Sequence, residues 1–129
     1  MGEQGLFPTL EYKDVAEAAR WLHNALGFDL LTPTPEEGET LSYAEMRRAG
    51  GVITLSAVSK KSVPKGQGLY IWTADPDGVF ERALQEGAKV VISPEDTPEG
   101  TRRARVLDPE GHEWTFGSRE PGAGLARKM

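Results

Sequence analysis

An α+β fold built from two tandem β-α-β-β-β modules is the architecture this sequence predicts, and three observations predict it. Strand-like and helix-like apolar periods follow one another in the same order twice along the chain. Laid over each other at an offset of 60, the halves agree at Gly27 and Gly87, Ala44 and Ala104, and Gly51 and Gly111. Each half also opens its helix with an aspartate, Asp14 and Asp75, one residue out of that register. An internal duplication constrains the fold more tightly than any single motif.

The elements follow in order. Residues 6–13 read as a strand. Asp14 stands where an N-cap belongs, and Glu17, three residues later, completes capping-box spacing. Val15, Ala18, Ala19, Leu22 and Leu26 recur at helical spacing, and Gly27 is a natural stop. Residues 28–31 form a short strand, and the Pro- and Glu-rich residues 32–38 a loop. Strands at 41–48 and 52–58 flank an Ala49-Gly50-Gly51 turn and complete module one, residues 6–58. The linker 59–66, SKKSVPKG, is polar, basic and broken by proline. Module two, residues 67–118, repeats the pattern: a strand at 68–74, a helix at 75–86 stopped by Gly87, and a strand at 88–92. A Pro- and Glu-rich loop at 93–100, a strand at 102–107, the turn Asp108-Pro109-Glu110-Gly111 and a strand at 112–116 complete it. Residues 119–129 read as a flexible tail.

Composition bounds the function. A chain of 129 residues suits one domain with a single core, and 38% apolar with 27% charged residues suits a soluble one. No run approaches the roughly 20 apolar residues of a membrane helix, and MGEQGLFPTL lacks a basic-then-apolar leader, so a cytoplasmic location is expected. Zero cysteines exclude disulfides, thiolate metal sites and cysteine nucleophiles. A net charge of −5 without a basic stripe argues against nucleic acid as partner.

The stretches LEYKDVAEAARWLHNALGF and EGAKVVISPEDTPEGTRRARVLDPEGHEWTFG, together with the duplication, resemble the vicinal oxygen chelate superfamily. This group covers glyoxalase I, fosfomycin-resistance proteins, extradiol dioxygenases and bleomycin-resistance proteins. The sequence is most similar in flavour to the glyoxalase/bleomycin-resistance type that includes PhnB-like proteins, and the resemblance spans residues 6–118. It implies two modules curled into an open, incomplete barrel, a homodimer, and a ligand cleft on the concave sheets. Metal-dependent members take His, Gln or Glu ligands from the first, fourth, fifth and eighth strands. Carried over, these positions fall on Phe7, on Leu55 (or Ser56 if the register is one out), on Gly68 and on Thr115. Such side chains do not make that site, so no metal and no other cofactor is expected. His112 then reads as a strand-entry residue of the Asp-Pro-Glu-Gly-His turn, and His23 as a helix-surface or interface residue.

The parity of those positions gives the expected cleft, because alternate residues of a strand share a face. It contains Phe7, Thr9, Glu11, Tyr43, Glu45, Arg47, Ile53, Leu55, Tyr70, Trp72, Arg103, Arg105, Glu113 and Thr115. From this set the ligand-binding candidates are Phe7, Glu11, Tyr43, Glu45, Leu55, Tyr70, Trp72, Arg103, Arg105, Glu113 and Thr115. Aromatic surfaces among carboxylates and arginines suit a flat organic ligand, with charged groups fixing its orientation. No nucleophile–base pair is evident, so no catalytic residue is assigned. The leading expectation is a metal-independent binding protein that sequesters an aromatic or cationic antibiotic-like compound, as a homodimer with neither nucleic acid nor membrane as partner. A second reading is a lyase, isomerase or dioxygenase with an atypical metal site or with Glu45 or Glu113 as acid or base. A third is an interaction module that kept the fold and lost the pocket.

Overall fold

Strand alternation sets the core of the first half. In the computed structural model, which describes residues 5–58 and 66–122, Leu10 and Tyr12 of β1 (Thr9–Tyr12) are buried while Thr9 is exposed. Ala44 and Met46 of β3 (Tyr43–Arg48) and Ile53 and Leu55 of β4 (Gly51–Ala57) are buried in the same way. These side chains meet α1 (Val15–Leu26), whose Val15, Ala18, Trp21 and Leu22 are buried in turn. Burial of each large apolar side chain contributes about 1.5–3 kcal/mol. With the two-residue β2 (Asp29–Leu30), the sheet runs β1-β4-β3-β2, parallel between β1 and β4 and antiparallel elsewhere.

The helix ends are those the sequence predicts. Asp14 Oδ1 accepts from the Glu17 backbone N–H at 3.0 Å. Gly27 turns left-handed, at φ 77°, and its N–H reaches back to the His23 carbonyl at 3.2 Å. His23 Nδ1 donates to the Phe28 carbonyl at 2.8 Å, so this histidine is part of the helix terminus.

The second half repeats the plan with β5 (Gly68–Trp72), α2 (Pro76–Gln85), β6 (Lys89–Asp96), β7 (Arg102–Leu107) and β8 (Glu113–Gly117), in sheet order β5-β8-β7-β6. Each half is thus an unclosed four-stranded sheet with one helix, the expected α+β module. The chain divides between Pro64 and Lys65 into two compact units. Among the described residues no helix is long and apolar enough to cross a membrane. The linker residues 59–65 and the tail residues 123–129 lie outside the described part of the chain.

Three local expectations are corrected. The first strand starts at Thr9 rather than residue 6, because Leu6 and Phe7 are 96% and 57% exposed and find no packing. β6 continues through residues 93–96, which read as loop. Glu95 stands opposite Arg103 and Asp96 opposite Arg102, and each pair is joined by an ion pair. β6 is an edge strand with two register shifts, a setting that accommodates Pro94. The described start of the tail is tied down: the Arg119 carbonyl accepts from the Tyr70 hydroxyl at 2.6 Å, next to Ser118, which is paired with Arg102.

The turn before β8 is organised by one buried carboxylate. Asp108, 4% exposed, accepts from the backbone N–H groups of Glu110 and His112 on Oδ1, at 3.0 and 3.1 Å. Its Oδ2 accepts from the indole N–H of Trp114 at 3.1 Å. His112 stands at the entry to β8, as expected, but is 2% exposed and so points inward. Its Nδ1 accepts from the Gln67 N–H at 3.0 Å, which places the ring proton on Nε2. A second carboxylate fastens α2 to the sheet: Asp77 takes a bidentate pair from Arg102, at 2.6 and 3.0 Å. The Arg102 hydrogen bond holds the Asp77 carboxyl below its ordinary value.

Asp108→Asn turns an amide N–H toward the Trp114 indole N–H and leaves a buried donor unmatched. Urea denaturation is expected to show a loss of about 1–3 kcal/mol; an unchanged midpoint contradicts this role. The Asp77–Arg102 pair has a depressed carboxyl, so its contribution is complete above the ordinary value of 3.8 and is lost as pH falls through the lower folded value. Asp77→Asn should therefore lower the melting temperature at about pH 7, and the offset from the parent should shrink as the pH falls below 3.8. An offset that persists in acid contradicts the pairing.

Candidate functional site

The face of the second sheet turned away from α2 carries the polar chemistry. Ile71, Ala104, Val106, Trp114 and Phe116 are buried on the helix side. Alternation puts Tyr70, Trp72, Arg103, Arg105, Glu113 and Thr115 on the other side. Strand register sets them in rows: Tyr70 opposite Thr115 and Thr115 opposite Arg105, then Trp72 opposite Gly117 and Gly117 opposite Arg103.

Contacts within these rows fix the side chains. The Tyr70 ring lies over Gly117, where a Cβ would collide with the ring and its hydroxyl. The Tyr70 hydroxyl donates to the Arg119 carbonyl at 2.6 Å, joining β5 to the segment after β8. Arg105 Nε donates to Thr115 Oγ1 at 2.8 Å, and another of its nitrogens lies 3.8 Å from Glu113. Arg103 grips Glu95 through Nε and a terminal nitrogen, both at 2.7 Å.

Around these residues lies a cleft of ≈ 530 Å³, a small-molecule size. It brings together Tyr70, Arg103, Arg105 and Thr115 of the expected set; Trp72, 55% exposed, and Glu113 share their face of the sheet. Thr97 and Glu99 line it from the Glu95–Gly100 segment, which the sequence places as a solvated loop at the cleft edge, while sequence reasoning missed Thr101, and Arg119 and Pro121 beyond β8. Their signal was present in the run of arginines and threonines next to β7 and β8, but residues 93–100 read as a solvated loop and 119–121 as tail.

The remaining candidates lie on the first unit. Thr9 and Thr54 hydroxyls share a hydrogen bond of 2.6 Å across the open face of its sheet, where Glu11, Tyr43 and Glu45 also stand. Tyr43 donates to Glu45 Oε2 at 2.7 Å, and this bond to a carboxylate raises the phenol's pKa. Phe7 is exposed ahead of β1. Leu55 is corrected: it is fully buried, in register with Leu10 and Ala44, both buried themselves, and so belongs to the core with Ile53. Thr54 and Ser56 take the open face of β4 instead.

The residues do not fit the metal of the metal-dependent relatives. Phe7 and Gly68 offer no side-chain donor, and Leu55 is core. At the eighth-strand position the Thr115 hydroxyl already accepts from a guanidinium, a cation that would repel a divalent ion. Among the described residues no group of three or more His, Asp or Glu is placed to hold a metal.

Known proteins share this fold and sequence. The chain is 31% identical to an uncharacterized protein of Mycobacterium tuberculosis over 126 residues, which is 89% of this chain and 74% of the relative. It is 31% identical to TioX from Micromonospora sp. ML1, whose crystal structure superposes with a TM-score of 0.75 over 88% of this chain and 98% of that one. A superfamily member from Sphaerobacter thermophilus, at 19% identity and TM-score 0.69 over 88% of this chain and 97% of that one, shares the fold. The sequence pattern of the Glyoxalase/Bleomycin resistance protein/Dioxygenase superfamily matches residues 8–116, and the chain belongs to that superfamily.

Proposed function

We propose that this protein binds a planar, antibiotic-like organic molecule on the open face of its second sheet and sequesters it without metal and without chemistry. The observation that carries this reading is the Tyr70 ring, laid over Gly117 and pinned through its hydroxyl to Arg119, at a cleft of ≈ 530 Å³. A ring fixed in that way offers a preorganised stacking surface, and binding to it orders little that is not already ordered. The superfamily's description supports the reading, since bleomycin resistance proteins stand in it beside glyoxalases and dioxygenases. The two glutamates of the acid–base alternative are engaged otherwise: Glu45 accepts from Tyr43, and Glu113 faces Arg105. The binding unit of this proposal is a cytoplasmic homodimer, in which a second copy covers some of the aromatic surface left open at Phe7, Tyr43 and Trp72.

Titration of tryptophan emission with acridine- and quinoline-type compounds should reveal saturable binding, which Tyr70→Ala weakens about tenfold, the loss of one stacked ring. Full affinity in Tyr70→Ala contradicts the site. Prolonged dialysis against EDTA should leave binding unchanged, whereas binding that is lost and then restored by zinc or manganese contradicts metal independence.

A further inference from the structure

The charge distribution in the cleft selects among planar ligands. Arg102 is engaged by Asp77 and Asp96, and Arg103 by Glu95. Arg105 is different: among the described residues its hydrogen bond goes from Nε to the neutral hydroxyl of Thr115, and its ion pair with Glu113 is long, at 3.8 Å. Arg119 is held by its carbonyl, which accepts from Tyr70, while its guanidinium makes no hydrogen bond or ion pair among the described residues. Arg119 therefore borders the cleft without an acidic partner among the described residues, and Arg105 with only a long ion pair to Glu113.

Acceptors that might hold a cationic ligand are already committed. The Tyr70 hydroxyl is oriented to donate to Arg119, Thr115 accepts from Arg105, and the Thr97 and Thr101 hydroxyls bond each other at 2.7 Å. Among the described residues that line the cleft, Glu99, exposed on the loop, is the one carboxylate. The unmatched groups at the cleft are thus mainly donors, and an oxyanion is what satisfies guanidinium donors in a planar, paired geometry.

We propose that the ligand is an aromatic acid, whose carboxylate or sulfonate is held by Arg105 and Arg119 while its ring lies against Tyr70. This rests on the reading that the open face of the second sheet binds a planar molecule. Arg105 is fixed on Thr115 by its Nε, which leaves its terminal nitrogens turned to the cleft side of the sheet. The chain as a whole carries −5, so general charge attraction does not favour anions and any preference for them is local to the cleft.

Two dyes with the same rings test this: 8-anilino-1-naphthalenesulfonate and its neutral counterpart N-phenyl-1-naphthylamine, titrated into the full chain by fluorescence. The sulfonate is expected to bind about tenfold tighter, with Arg119→Gln removing about that factor for the sulfonate alone. Arg105→Gln, checked for folding by circular dichroism, should act in the same direction, and added salt should weaken only the sulfonate. Equal affinity for both dyes, or sulfonate binding unmoved by either substitution, overturns the aromatic-acid assignment and leaves the planar-ligand reading standing. Failure of both dyes to bind overturns the two together.

Discussion

A single buried carboxylate, Asp108, sets the geometry on which the second sheet depends. Three donors converge on it, two from the backbone of its own turn and one from the Trp114 indole. A carboxylate removed from water at this depth is tolerable only when its lone pairs are matched, so the turn and the first residues of β8 have little freedom. That fixes where Glu113 to Gly117 enter the ladder, and therefore which residues stand opposite Tyr70, Trp72, Arg103 and Arg105. His112 extends the constraint by accepting from Gln67 just before β5. The Asp-Pro-Glu-Gly-His run is thus a device for setting register, and its histidine is packed inside with Nδ1 accepting from the Gln67 N–H.

What the register produces is an open face whose polar groups serve one another before they serve a ligand. Gly117 is small so that Tyr70 can lie down, and Tyr70 in turn ties the chain beyond β8 across the cleft. Opposite charges pair along β6 and β7 and keep a proline-containing edge strand in the sheet. Being exposed, these pairs contribute more to which strands meet than to net stability. Among the described residues of the cleft, Arg119 has no acidic partner and Arg105 only a long ion pair to Glu113.

The fold was largely legible in the sequence because its signals are local. Asp14 and Asp75 cap helices through their own following turns, and Gly27 ends a helix by its own backbone. Alternation placed Tyr70, Trp72, Arg103, Arg105 and Thr115 together on the face turned away from α2 for the same reason. Leu55 failed because its face depends on its partners in β1 and β3, and a slip of one residue inverts a strand. Residues 93–96 and 119–121 failed because their order comes from groups distant in sequence, Arg102, Arg103 and Tyr70, which a reading along the chain does not bring together.

The central claim is that the face of the second sheet opposite α2 is the binding surface. Backbone amide shifts of the nitrogen-15-labelled protein, followed by NMR as 8-anilino-1-naphthalenesulfonate is added, test it most directly. Saturable shifts centred on Tyr70, Arg105, Thr115, Gly117 and Arg119 are expected. Shifts confined to the outer face of α2, around Glu81 and Gln85, would contradict it.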